Sequence, residues 1–178
     1  EIGFDPDALR QKYKAERDKR VRDDGNDQYR EVVGDFAYFV DDPYIDEALQ
    51  REPVDDEIDV AIIGGGFGGM LAAARLREAG IDDFRIIEKG GDFGGTWYWN
   101  RYPGASCDIE SYVYFPLLEK TQFTPQQKYT NAAETLNYCH VIAEKYDLHA
   151  AAFMQTEVTG TDWDEDSGRW LVKTDRGD

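Results

Sequence analysis

The chain has 178 residues, a formal net charge of −17, 41% hydrophobic residues and 13% aromatic residues. This is the composition of a folded chain rather than a disordered one, and the length supports one domain with its own core. The acidity argues against nonspecific nucleic-acid binding, which needs a basic face. No apolar run approaches the roughly 20 residues of a membrane-spanning helix. Two cysteines and two histidines make neither a disulfide framework nor a typical zinc site, so no metal is expected. The cysteine usage fits a reducing cytoplasm, and the polar, acidic start shows no secretory leader.

Asp5-Pro6 predicts an N-cap followed by proline at the first helical position, opening a helix from Asp7 to about Arg22. Seven Lys/Arg in that stretch face Glu16 and Asp18, with Glu16–Arg20 and Asp18–Arg22 at the favourable i, i+4 spacing. Its apolar stripe, Leu9, Tyr13 and Val21, is thin. From Asp23 to Glu57 thirteen acidic residues outnumber two basic ones, with Tyr29, Phe36, Tyr38, Phe39 and Tyr44 interleaved. So many aromatics argue against a free tail. Residues 1–57 are therefore expected to form a helical extension wrapped on a main domain, 58–178.

At Ile58 the pattern changes. Ile58 to Ile63 predicts a buried strand, Phe67 to Ala79 a helix stopped by Gly80, and Phe84 to Ile87 a second strand. That order implies an α/β, Rossmann-like fold with parallel strands and a right-handed crossover. Asn131 to Asp147 is expected to be a helix, with Leu136, Cys139, His140, Ala143 and Tyr146 recurring at helical spacing. Thr156 to Trp163 and Arg169 to Thr174 are expected to be strands joined by the turn Asp166-Ser167-Gly168, with a third strand to follow.

Gly64-Gly65-Gly66-Phe67-Gly68-Gly69 matches G-x-G-x-x-G. The match alone is weak. Here it follows a strand, opens a helix and is followed 19 residues after Gly69 by the acid Glu88 at the end of the second strand. Gly64 permits the tight turn, Gly66 lets a pyrophosphate approach the backbone, and Gly69 lets the helix pack close to the strand. The orphan amides of the helix start, Phe67 among them, then face the phosphates. Glu88 can accept hydrogen bonds from a ribose and would repel a 2′-phosphate, so this site suits FAD or NAD rather than NADP.

A second glycine pair, Gly94-Gly95, follows in Gly90-Gly91-Asp92-Phe93-Gly94-Gly95-Thr96-Trp97. It resembles the two-dinucleotide-binding flavoproteins and favours FAD over NAD. The run Trp97-Tyr98-Trp99-Asn100-Arg101-Tyr102-Pro103-Gly104-Ala105 and the pair Cys107-Asp108 closely resemble the Baeyer–Villiger monooxygenases, over about Glu57 to Asp178. The resemblance implies that Gly64, Gly66, Phe67, Gly69, Glu88, Gly95, Thr96, Trp97, Asp108, Tyr114 and Val158 line the FAD. Glu88 would hold the ribose and Val158 would meet the adenine through its backbone. Asp108 would be catalytic, beside the isoalloxazine. The reaction implied is FAD- and NADPH-dependent: O2 adds at the flavin C4a position, and the peroxide inserts one oxygen beside a ketone carbonyl to give an ester or lactone.

The family's NADPH domain and its Phe-Gly-His-Trp linker signature are not in these residues. The FAD domain is therefore expected to be incomplete here, with NADPH bound mainly by residues outside this chain, which alone would not turn over. Two other readings stay open: a related flavin enzyme oxidising nitrogen or sulfur, and a non-catalytic FAD-binding fragment. Trp99 and Tyr102 are read as core aromatics, Cys107 as a small buried hydrophobe, Tyr112 as a packing residue, and His140 and His149 as surface or packing residues.

Overall fold

Residues 3–178 are described by a computed structural model. The chain divides into two units, Glu1–Asp41 and Asp42–Asp178. In the smaller, helix α1 (Pro6–Asp18) begins where Asp5 accepts from the Asp7 and Ala8 amides at 2.9 and 3.3 Å and Pro6 sits in the first turn. It ends four residues before the expected Arg22. The Glu16–Arg20 pair forms at 3.8 Å, but Asp18 pairs with Arg17 and Arg22 turns to Asp24 instead. No residue of α1 is buried, so tertiary packing does not carry the helix through its clustered cations. Two 3₁₀ turns, Gly25–Gln28 and Gly34–Val40, follow.

The larger unit is built on a parallel sheet of β1 (Val60–Ile63), β2 (Phe84–Ile87) and β3 (Ala152–Phe153) in that order, with Val60 opposite Phe84 and Ile86 opposite Ala152. Helix α2 (Phe67–Glu78) makes the β1–β2 crossover and buries Met70, Ala73 and Ala74. Gly80, at φ +76°, stops it: its amide reaches Arg77 O at 3.0 Å and that of Ile81 reaches Leu76 O at 2.9 Å. The expectation that β1 is wholly buried is corrected. Ile62 is buried, but Ile63, which projects from the opposite face of the strand, is 59% exposed.

Three one-turn helices, α3 (Thr96–Trp99), α4 (Ser111–Tyr114) and α5 (Leu118–Thr121), lead into α6 (Ala132–Lys145). The face expected for α6 largely holds: Cys139 and Ala143 are buried, and Leu136 and Tyr146 pack against the core, whereas His140 is only partly buried. Thr135, Tyr138 and Ile142 widen that face. Tyr138 anchors it: it lies flat on Phe115, ring centroids 4.7 Å apart, and its hydroxyl bonds to Pro116 O and Thr121 Oγ1. Two strands then form an antiparallel hairpin, β4 (Val158–Asp164) and β5 (Arg169–Thr174), as expected.

Residues 42–57 lie along this unit. Asp42 accepts from the Gly91 amide at 2.9 Å and the Tyr98 hydroxyl at 2.7 Å. Burial, then Asp42, push the Tyr98 hydroxyl up to about 12. Further along, Arg51 forks onto Asp178 and stacks on Phe153, 4.7 Å from its ring centre. The Arg51 hydrogen bonds hold the Asp178 carboxyl well below the usual carboxylate range, helped by the Val54 amide and the Thr174 hydroxyl. A depressed carboxylate contributes stability above its unfolded pKa and loses it as pH falls towards the folded one. Arg51→Met should therefore cost on the order of 2–3 kcal/mol at neutral pH. In thermal denaturation, its deficit against the parent should shrink as pH falls from about 5 towards 2. A pH-independent deficit would rule out the ion pair as its cause.

Candidate functional site

The loop between β1 and α2 is closed by backbone contacts that only glycine permits. A Cβ on Gly69 would lie 1.9 Å from Gly64 O, so the first turn of α2 sits directly on the end of β1. Gly64 itself has φ +97°, a left-handed value. A Cβ on Gly95, at φ +53°, would lie 2.8 Å from Gly66 Cα, and the Gly94 amide donates to Gly65 O at 3.0 Å. The two glycine pairs of the sequence are thus one folded site. At Gly66 a Cβ would meet Gly95 Cα at 3.5 Å and Gly95 N at 4.0 Å, ordinary contacts.

Gly66 caps α2 without a side chain, and the first helical bond runs from the Met70 amide to Gly66 O at 3.0 Å. The Phe67, Gly68 and Gly69 amides therefore have no acceptor within the helix or its cap. They concentrate the positive end of the helix dipole on an open backbone, which is what an anionic group requires.

Glu88 is 5% exposed. Its two carboxylate oxygens accept from the Gly65 amide at 2.5 Å and the Gly90 amide at 2.6 Å, bracing both glycine turns. Each oxygen retains a lone pair for a further donor. Val158 opens the hairpin two residues past Thr156, whose amide donates to Glu88 O at 2.9 Å.

Phe67, Thr96, Trp97 and Tyr114 converge beside the helix start. The Trp97 indole N–H donates to the Tyr114 hydroxyl at 3.0 Å, and the Phe67 and Tyr114 rings meet edge-on at 5.5 Å. A recess of about 360 Å³ opens there, lined by Thr96, Trp97, Asn100, Cys107, Asp108 and Tyr114. Asp108 is exposed, and among the described residues its carboxylate has neither a hydrogen bond nor an ion pair. A larger recess, about 530 Å³, lies on the other side of the 101–105 loop, between Arg101, Tyr102, Asn137 and His140. Arg101 lies in the corner of the Tyr44 and Tyr98 rings, 3.8 and 4.5 Å from their centres.

Several expectations change. Tyr102 is 65% exposed and Tyr112 61%, so neither is a packing residue; Tyr112 bonds Glu110 instead. Trp99 is only partly buried. His140 and His149 are surface residues, as expected, and both face Asp92, at 3.3 and 2.9 Å. Cys107 is buried, but among hydroxyls: Thr130 at 3.5 Å and Thr135 at 3.7 Å. Cys139 is the apolar one, and burial pushes its thiol up to about 12. Sequence reasoning missed Asp42, Thr130 and Thr135. The one local signal was Thr130's place before the N-cap Asn131 of α6.

The fold and the paired loops define a dinucleotide-binding unit, and a family described as NAD(P)-binding Rossmann-like domains matches residues 62–126. A Baeyer–Villiger monooxygenase of Streptomyces coelicolor is 50% identical over 96% of this chain and 28% of its own length. The solved polycyclic ketone monooxygenase of Thermothelomyces thermophila superposes with a TM-score of 0.81 at 41% identity, over 96% of this chain and 29% of that one. OTEMO, solved in complex with FAD and NADP, matches with a TM-score of 0.65 at 31% identity, over 70% of this chain and 24% of that one. Over the stretch it spans, the chain is similar to Baeyer–Villiger monooxygenases. It spans less than a third of the length of the curated relatives it matches, 28–29%.

The glycine geometry separates two substitutions. Gly69→Ala drives a methyl into Gly64 O and should cost on the order of 2–4 kcal/mol. Gly66→Ala has room and a compatible φ of −77°, and should stay within about 1 kcal/mol of the parent. Urea denaturation of the two variants decides it, and equal losses would contradict the packing described.

Proposed function

We propose that this chain is the FAD-binding portion of a Baeyer–Villiger-type monooxygenase. The observation that carries the reading is the bare start of α2, with open amides at Phe67, Gly68 and Gly69, next to the contact of Gly66 with Gly95 of the second glycine pair. The residues present fit FAD. The open amides would hold its pyrophosphate, and the spare lone pairs of Glu88 its ribose hydroxyls. The Val158 backbone would meet its adenine, and Gly95, Thr96 and Trp97 would follow the remainder. Bound FAD supplies the redox chemistry: reduction by NADPH and activation of O2 for insertion of one oxygen beside a ketone carbonyl, giving an ester or lactone. NADPH would be held mainly by residues outside this chain, in the remainder of the enzyme.

Phe67, Trp97 and Tyr114 would form an aromatic wall that keeps water from the reacting atoms. Asp108 would act electrostatically. An unpaired carboxylate at the recess wall repels anions, so it serves best by fixing an arginine supplied from elsewhere in the enzyme and tuning its field. Among the described residues no helix is long and apolar enough to cross a membrane. The two free cysteines agree with a cytoplasmic enzyme.

The test is made on the enzyme that carries this chain. With NADPH, O2 and a panel of ketones it should release esters or lactones, identified by mass spectrometry. Release of N-oxides or sulfoxides alone, from amines or sulfides, would overturn the reaction assigned. Gly66→Ala should purify folded with FAD occupancy reduced at least tenfold, since its methyl fills the approach to the amides. Asp108→Asn should retain FAD yet lower ester formation by about 100-fold.

A further inference from the structure

Beneath the Asp108 loop lie four buried side chains whose hydrogen bonds can be arranged in only one direction. Cys107 is 5% exposed, and Ser111, Thr130 and Thr135 are 0% exposed. The Thr135 hydroxyl is 3.0 Å from Asn131 O and donates to it. Its one proton is then committed, so at 3.2 Å Thr130 must donate to Thr135. With the Thr130 proton committed in turn, Ser111 must donate to Thr130 at 3.0 Å. Ser111 also accepts from the Thr130 amide at 2.8 Å. The Cys107 thiol, 3.5 Å from Thr130 Oγ1, closes the group.

The backbone follows the same path. The Cys107 amide donates to Thr130 O, the Ala132 amide to Ala105 O and the Ser111 amide to Lys128 O, each at 2.8 Å. The loop is stitched to the entry of α6 on both sides of Asp108, while Asp108 itself is left exposed and unpaired.

We propose that Thr130 is a positioning residue for Asp108: its hydroxyl, at the centre of this network, holds the 105–111 loop so that the carboxylate stands in the 360 Å³ recess. The inference rests on the catalytic reading of Asp108. Thr130 touches neither the recess nor any reacting atom and acts only through the loop. A buried network that loses its central member leaves its neighbours unsatisfied, so the loop must loosen.

The experiment compares Thr130→Val, which keeps the shape without the hydroxyl, with Thr130→Ser, which restores the hydroxyl, in the complete FAD-loaded enzyme. Hydrogen exchange of the 105–111 amides should speed about tenfold or more in Thr130→Val and return close to the parent rate in Thr130→Ser. The share of consumed NADPH that ends in ester rather than hydrogen peroxide should fall severalfold in Thr130→Val and recover in Thr130→Ser. The KM for NADPH should stay unchanged in both. Parent-like coupling in Thr130→Val, or a Thr130→Ser as impaired as Thr130→Val in both readouts, overturns the proposal. Should Thr130→Val fail to fold, Ser111→Ala removes the donor end of the same network and is read the same way. A parent enzyme that makes no ester sinks the functional reading alone, because the exchange comparison still decides whether the hydroxyl holds the loop.

Discussion

The close approach of Gly66 and Gly95 is the constraint on which the rest of the site depends. A methyl on Gly95 would sit 2.8 Å from Gly66 Cα, nearer than any side chain allows. This brings the loop after β2 against the loop after β1 and makes one surface of two motifs separated in sequence. Gly69, pressed on Gly64 O, fixes the helix from behind. Glu88 completes the brace by accepting one amide from each turn. The open amides of α2 thus rest on rigid backbone. An anion site gains most from such a support, because the dipoles need no reorganisation when the ligand arrives.

The net charge of −17 does not oppose this. Exposed charges are screened beyond about 8–10 Å at physiological salt, whereas the helix-start amides act at contact distance. The acidic residues nearest the site are engaged by donors. Asp42 is taken by the Gly91 amide and the Tyr98 hydroxyl, and Glu88 by two amides. Asp92 is met by both histidines. Asp108 is the exception, and that is what separates it chemically from the acidic background.

The parts legible in the sequence are those whose signal is local. The glycine spacing, the Ala- and Leu-rich α2 with Gly80 behind it, the acid ending β2 and the turn at Asp166 to Gly168 each carry their own physics within a few residues. The illegible parts are set by distant partners. β3 is two residues long and exists because Ile86 and Ile87 offer it an edge. The inward face of α6 is completed by Tyr138 stacking on Phe115, 23 positions earlier in the chain. A hydrophobicity pattern therefore promotes His140 and overlooks Thr135. Ile63 reads as core from its neighbours in sequence, yet it lies on the face of β1 opposite Ile62 and is exposed. The paired glycine loops and Glu88 were legible, but the hydroxyls beneath the Asp108 loop were not. Thr130 and Thr135 have no motif, and their burial follows only from the loop that closes over them.

That division bears on how the site can work. Ala105, Cys107 and Ser111 are each bonded through the backbone to the 128–132 segment at 2.8 Å. Between them Asp108 has few backbone conformations left, although its side chain is exposed. A mobile carboxylate would pay the entropy of ordering each time it met a cation. One held by its flanks would lose less entropy on meeting a cation. Such preorganisation would matter most if the remainder of the enzyme closed over the recess, since a fixed charge acts more strongly where water is excluded. The buried hydroxyls and the exposed carboxylate are in this sense one device. The first group spends its hydrogen bonds inward so that the second can keep its own free.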